Sequence, residues 1–278
     1  MKDENNDDYF EKQNPSILRS IGGLLTFSTI LPLNIYTTID EMARLTWFWP
    51  VLNGLIGLIA TIIAFILAKF IHFDPFLIAT IVYGFLLLIN GFNHFDGLMD
   101  FGDGMMVHGS PEKKLSIMKD PMTGVGGIAT GFIVGTITIA AYTSLINYAY
   151  AIGFNFLLLI IVAEIGAKIG LTTCCISSQA SEEGIGKYFI KYMNLKNYVI
   201  GLIICFIIAV ALSLGPGIHI GLLGIIGGAF GGALIALLAK KHLKIANGDV
   251  LGASNELGRL FSLIAMLVLI SINFSALI

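Results

Sequence analysis

The chain has 278 residues, 56% hydrophobic and only 12% charged, with a formal net charge of −2 and a mean hydropathy of +0.87. Soluble domains carry roughly 25% charged residues, so a soluble globular domain is excluded, and no basic surplus points to a nucleic-acid partner. The lipid bilayer is the expected surrounding.

The first fifteen residues, MKDENNDDYFEKQNP, are polar and acidic and lack the basic start of a signal peptide. Residues 1–15 therefore read as a polar tail, and 16–278 as a single membrane domain. Crossing the hydrocarbon core as helix takes about 20 apolar residues. Stretches 20–39, 45–68, 75–95, 121–163, 197–239 and 260–278 contain no Asp, Glu, Lys or Arg. Within the first, segment 17–36 holds Pro32 and reads as a span, an interfacial helix or a re-entrant one. Stretches 121–163 and 197–239 are twice the needed length and break at Asn147 to Asn155 and at Gly215-Pro216-Gly217. The expected fold is an all-α polytopic bundle of about seven transmembrane helices plus that N-terminal segment.

Basic residues set the orientation, because cytoplasmic loops collect Lys and Arg. Lys113, Lys114 and Lys119 lie in 94–120, Lys187, Lys191 and Lys196 in 176–196, and Lys240, Lys241 and Lys244 in 240–257. The alternate connections near 147–155 and 214–218 have none, and the one near 70–75 has only Lys69. Three loops thus face the cytoplasm, with 37–46 and its Arg44 on the same side. The site is expected in loops 93–124, 176–197 and 240–259. Glycines four apart, such as Gly224, Gly228 and Gly232, indicate close helix packing and would also permit a homo-oligomer. Cys174, Cys175 and Cys205 suggest neither a disulfide framework nor a metal site.

Residues 93–104 read NHFDGLMDFGDG. Helical positions i, i+4 and i+7 share a face, which would gather Asp96, Asp100 and Asp103. Adjacent carboxylates repel unless a cation intervenes, and oxygen-only donors favour Mg²⁺ or Mn²⁺. Gly97, Gly102 and Gly104 are poor helix formers, as where a ligand approaches backbone. His94 reads as a ligand, an acid-base group or an interfacial residue, and His108 as a phosphate contact or a solvated loop residue. Ser110-Pro111 marks a helix start. Lys113, Lys114 and Lys119 offer charge to phosphate, Asp120 is a candidate fourth carboxylate, and Thr123-Gly124-Val125-Gly126-Gly127 brings backbone amides close. Carboxylates, a divalent cation and lysines are the components of phosphoryl transfer. In NGDVLGASNELGR, 247–259, Asp249, Asn255 and Glu256 repeat the theme. Glu256 reads as a metal ligand, a base or an ion-pair partner of Arg259, and Glu164 and Lys168 as an intrahelical pair or substrate contacts.

These segments resemble the cobalamin-5′-phosphate synthase (adenosylcobinamide-GDP ribazoletransferase) family. His94-Phe95-Asp96-Gly97-Leu98-Met99-Asp100-Phe101-Gly102-Asp103-Gly104 matches its HxDGxxDxxDG signature. Ile117-Met118-Lys119-Asp120 with Gly124, and Gly248-Asp249-Val250-Leu251-Gly252-Ala253 with Glu256, match the two later motifs. The resemblance implies a Mg²⁺-dependent transfer at the cytoplasmic membrane face, in which α-ribazole or its 5′-phosphate displaces GMP from adenosylcobinamide-GDP. It implies metal ligation by Asp96, Asp100, Asp103 and Asp120, and catalytic parts for Asp100, Asp103, Lys119 and Glu256. Substrate contacts would come from His94, His108, Lys113, Lys114, Asp120, Lys168, Asn247, Asp249, Asn255 and Arg259. The chain departs from the family's usual residues at Lys113, Met122, Ala167-Lys168 and Asn247. A CDP-alcohol phosphotransferase lacks its AR pair here, a prenyltransferase lacks its second aspartate-rich motif, and a transporter would hold its carboxylates near mid-bilayer.

Overall fold

The computed structural model describes residues 16–33 and 35–274, so the expected tail 1–15 lies outside the described residues. Among the described residues twelve α-helices follow one another: α1 (Ile17–Ser28), α2 (Ile39–Ala43), α3 (Trp49–Ile66), α4 (Pro75–Ile89), α5 (Asn93–Met106) and α6 (Pro111–Met118), then α7 (Val125–Ala151), α8 (Leu159–Ser177), α9 (Gly186–Tyr192), α10 (Leu195–Leu212), α11 (Ile218–His242) and α12 (Gly248–Phe274). With short terminal turns included, six stretches among the described residues are long and apolar enough to cross a membrane. They are Thr46–Ile71, Val125–Ala151, Phe154–Ser177, Leu195–Leu212, Ile218–His242 and Gly248–Phe274. Helices α4 and α5, bent by 91° at their junction, add a seventh only if the pair is counted as one broken span. Helical geometry is forced, because lipid cannot satisfy backbone N–H and C=O groups.

Helix boundaries follow local chemistry. Asp74 caps α4 ahead of Pro75, Ser110 caps α6 ahead of Pro111, and Asn194 caps α10. The sequence breaks hold too, since α7 stops at Ala151 and α10 at Leu212. The bend after α4 arises where Gly91 and Phe92 both take left-handed backbone, at φ 59° and 60°. Their N–H groups return to Leu88 and Leu87 carbonyls at 2.9 Å, which terminates the helix. Segment 75–95 is therefore not a simple span, because α4 ends at Ile89 and the aspartate segment turns away from its axis. Residues 248–259, expected as loop, are the first turns of α12.

Helix α8 is the axis of the bundle, with Leu159 to Cys175 buried throughout. Gly228 and Gly232 of α11 rest on the backbone of Gly166 and Gly170, and Gly258 of α12 also packs there. A Cβ on Gly232 would stand 1.9 Å from the Gly170 carbonyl oxygen. The glycine spacing thus serves packing inside the chain, and it brings α11 and α12 close enough to enclose α8 side chains. Cys174, Cys175 and Cys205 are free and buried.

The connections segregate to two ends. Gly215 packs on Asn155, and the Tyr150 hydroxyl donates to the carbonyls of Ala68 and Phe73 at 3.1 and 2.9 Å. These are the lysine-poor connections. At the opposite end Ser181 N–H donates to the Ala246 carbonyl at 2.9 Å and Ala246 N–H to the Gln179 carbonyl at 2.8 Å. Lys119 there meets Glu183 at 2.8 Å, and the Tyr192 hydroxyl donates to Asp40 at 2.5 Å. All three lysine-bearing loops and segment 37–46 therefore share one end of the bundle.

Candidate active site

Where those loops meet, a cavity of about 580 Å³ opens, within the usual range for small-molecule sites. Its polar wall contains Asn93, His94, Asp96, Lys119, Glu183, Asn247 and Asp249, and Phe27, Trp49, Leu171 and Phe189 form an apolar wall. Asp96 comes from α5 and Asp249 from the first turn of α12. The two helices touch because Gly97 sits against the Asp249 backbone, with a would-be Cβ 2.9 Å from it, and Gly252 sits against His94. The glycines of the aspartate motif thus serve helix packing rather than ligand approach. Gly102 packs on Thr130 of α7 and Gly104 on Met118 of α6.

The three aspartates of α5 differ in role. Asp96 is exposed and Asp100 half-buried. Burial first, then the neighbouring carboxylates of Asp96, Asp249 and Asp103, push Asp100 up to about 7. Asp103 is buried, and both its oxygens are engaged: Gly124 N–H donates to one and Gly127 N–H to the other, each at 2.7 Å. The Thr-Gly-Val-Gly-Gly turn does bring amides close to an anion, but the anion is the protein's own carboxylate at the start of α7. Asp120 lies exposed and accepts from Met122 N–H at 2.9 Å in a turn. Among the described residues no three His, Cys, Asp or Glu side chains close around a metal-sized point, so the expected four-carboxylate cage is not assembled. What remains, Asp96, Asp100 and Asp249, is an oxygen-donor patch with crowded negative charge. It suits a cation that brings phosphate oxygens with it, since Mg²⁺ commonly takes one or two carboxylates plus phosphates.

Lys119 stands on the cavity wall, paired with Glu183, and both are exposed. Lys114 has another task. It is buried, and its ammonium donates to the carbonyls of Gly104, Met105 and Val107, closing the C-terminus of α5. His108 and Lys113 are exposed and lie outside the cavity lining. Asn247 caps α12 by accepting from Val250 N–H at 3.1 Å and donates to Asp249 at 2.7 Å, which fixes that carboxylate.

Beneath the cavity lies a buried polar network. Arg259 donates to both oxygens of Glu164, at 2.5 and 3.1 Å, and to Glu256. Glu164 also accepts from Asn53 and Tyr142 at 3.1 Å each. Glu256 accepts from Tyr83 at 3.2 Å and Asn255 at 3.0 Å. The network ties α3, α4, α7, α8 and α12. Glu256 is therefore an ion-pair partner of Arg259, buried and with both its oxygens engaged within the protein. Glu164 pairs with Arg259, not with Lys168. The Lys168 ammonium instead lies 2.7 Å from His94 Nε2 and 4.7 Å from the Trp49 ring centre. With lysine donating, His94 carries its proton on Nδ1, which is buried without a partner among the described residues. Asn53, Tyr83 and Tyr142 went unread in the sequence, although a polar group within each apolar run was a signal. Glu183 and the aromatic wall carried none.

The fold and site define a polytopic helical membrane protein with a carboxylate-rich, lysine-bordered cavity at one end of its bundle. The family described as CobS, cobalamin-5-phosphate synthase, matches residues 20–267, and the chain belongs to it. Similar proteins include adenosylcobinamide-GDP ribazoletransferases of Methanosarcina mazei, 30% identical over 90% of this chain and 91% of the relative, and Methanosarcina barkeri, 31% identical over 90% and 91%. Another, from Methanocella arvoryzae, is 31% identical over 89% and 95%. No solved structure matches the chain.

Proposed function

We propose that the protein is a membrane-bound transferase that joins adenosylcobinamide-GDP to α-ribazole, or to its 5′-phosphate, and releases GMP. Family membership supports the reaction class, and the observation that carries the reading is the meeting of Asp96, Asp249 and Lys119 on one cavity wall. In the transfer, the acceptor hydroxyl oxygen forms a bond to the phosphorus bearing cobinamide. The bridging P–O bond breaks, GMP takes the electron pair, and the hydroxyl proton passes to a carboxylate of the patch.

Lys119 neutralises developing charge on the leaving phosphate, which requires it to exchange Glu183 for substrate. From the patch of Asp96, Asp100 and Asp249, one or two carboxylates would hold Mg²⁺ together with substrate oxygens, and the ion would lower the charge barrier to attack. Support for that cofactor is the crowding that raises Asp100. The polar wall orients the diphosphate, and the apolar wall excludes water from the acceptor. The lysine-bearing end faces the cytoplasm, as the charge bias of its loops supports.

The test is detergent-purified protein supplied with adenosylcobinamide-GDP and α-ribazole, with and without a chelator. Metal-dependent GMP release is expected; no GMP with any divalent cation would sink the proposal.

A further inference from the structure

The cavity lining has two chemically unlike parts, and the aromatic part has so far been given only the exclusion of water from the acceptor. There Phe27, Trp49 and Phe189 form a closed aromatic group, with ring centres 6.0, 5.1 and 4.9 Å apart, and all three line the cavity. Trp49 is fixed on two further sides. Its Nε1–H donates to Ser28 Oγ at 2.7 Å, and the Lys168 ammonium covers its ring at 4.7 Å. Ser28, the hydroxyl at this end, accepts from Trp49 and donates to the Leu24 carbonyl. Its proton is therefore committed, and the wall has no hydroxyl or indole donor left for a ligand.

A rigid aromatic wall favours planar groups by stacking and edge contact. It disfavours a base whose edge carries several donors and acceptors, because each one left unpaired in a buried site weakens binding. Guanine has such an edge. A benzimidazole nucleoside does not: one ring nitrogen is in the glycosidic bond, and the rest of the fused ring is nearly apolar.

We infer that Phe27, backed by the buried rings of Trp49 and Phe189, seats the heteroaromatic base of the acceptor nucleoside, leaving the guanosine diphosphate end of the donor at Asp96, Asp249 and Lys119. This rests on the transfer reaction proposed above. It gives α1 a part in binding, because Phe27 near its end is the only partly exposed ring of the three.

The chain has two tryptophans, Trp47 and Trp49, and Trp47 lies outside the cavity lining. A Trp47→Phe variant therefore reports on Trp49 alone. Titrating α-ribazole into this solubilised variant should change its emission saturably, whereas GDP at equal concentration should not. In the same background Phe27→Ala should weaken the response about tenfold and raise the KM for α-ribazole about tenfold, leaving the KM for adenosylcobinamide-GDP unchanged. Phe27→Tyr should restore both. A Trp49 response to GDP alone, or to neither ligand while turnover persists, overturns the seat and leaves the reaction standing. Saturable α-ribazole quenching without any turnover would keep the seat and remove the reaction.

Discussion

Asp103→Asn separates a structural aspartate from its functional neighbours. The wild-type carboxylate receives Gly124 N–H and Gly127 N–H at 2.7 Å each, clamping α5 to the start of α7. Asparagine keeps one acceptor oxygen and turns an amide NH₂ toward the other backbone N–H, so one bond is lost and the survivor loses its charge. A hydrogen bond to a charged group contributes about 1.5–3 kcal/mol, and a carboxylate at a helix N-terminus adds about 0.3–1 kcal/mol. The variant should therefore lose about 3 kcal/mol. Each kcal/mol moves the midpoint of a domain this size by about 2–4 °C, giving a fall of about 6–12 °C. The three buried cysteines supply the assay, since a thiol-reactive fluorophore reaches them only as the bundle opens. Well below its midpoint the variant should keep a measurable share of GMP release and an unchanged cation requirement. A wild-type midpoint combined with abolished turnover would refute the clamp and return Asp103 to the cation patch.

Other perturbations separate stability from chemistry. Arg259→Met leaves Glu164 and Glu256, both at most 2% exposed, without their cation. It should lose about 3–5 kcal/mol, and an unchanged thermal midpoint would deny the network its tying role. Lys119→Met removes only an exposed pair with Glu183, which contributes little to stability. Its midpoint should match wild type while GMP release falls, and undiminished turnover would remove Lys119 from phosphate contact. Asp100 stands at about 7 instead of 3.8. Below that pH it is mostly protonated, and a cation must displace the proton. Mn²⁺ affinity, read by electron paramagnetic resonance, should fall about fivefold between pH 7 and pH 6; a flat profile would detach Asp100 from cation binding.

Much of the fold was legible because lipid leaves the chain few options. Charge-free runs mark the spans, and Gly215-Pro216-Gly217 marks a break without tertiary information. The bend after Ile89 was not legible, because a left-handed Phe92 has no local signal beyond the preceding Gly91. The first turns of α12 were misread as loop for a physical reason. Asp249, Asn255, Glu256 and Arg259 look solvent-seeking in sequence, but partners on α4 and α8 help satisfy the last two inside the bundle. In the site, spacing correctly grouped the aspartates on one helix but could not divide their labour. The amides that engage Asp103 come from a turn about twenty residues later in the chain. Resemblance, not spacing, supplied the substrates. The aromatic wall drew on α1, α3 and α9, which only the folded chain brings together.

The central claim is that the carboxylate patch beside Lys119 is where the phosphate is transferred. Single-turnover GMP release by Asp100→Asn, measured alongside wild type in the same detergent, tests it most directly. The account predicts that the variant keeps a wild-type thermal midpoint and releases no GMP in the presence of Mg²⁺. Near-normal release from the folded variant would contradict it.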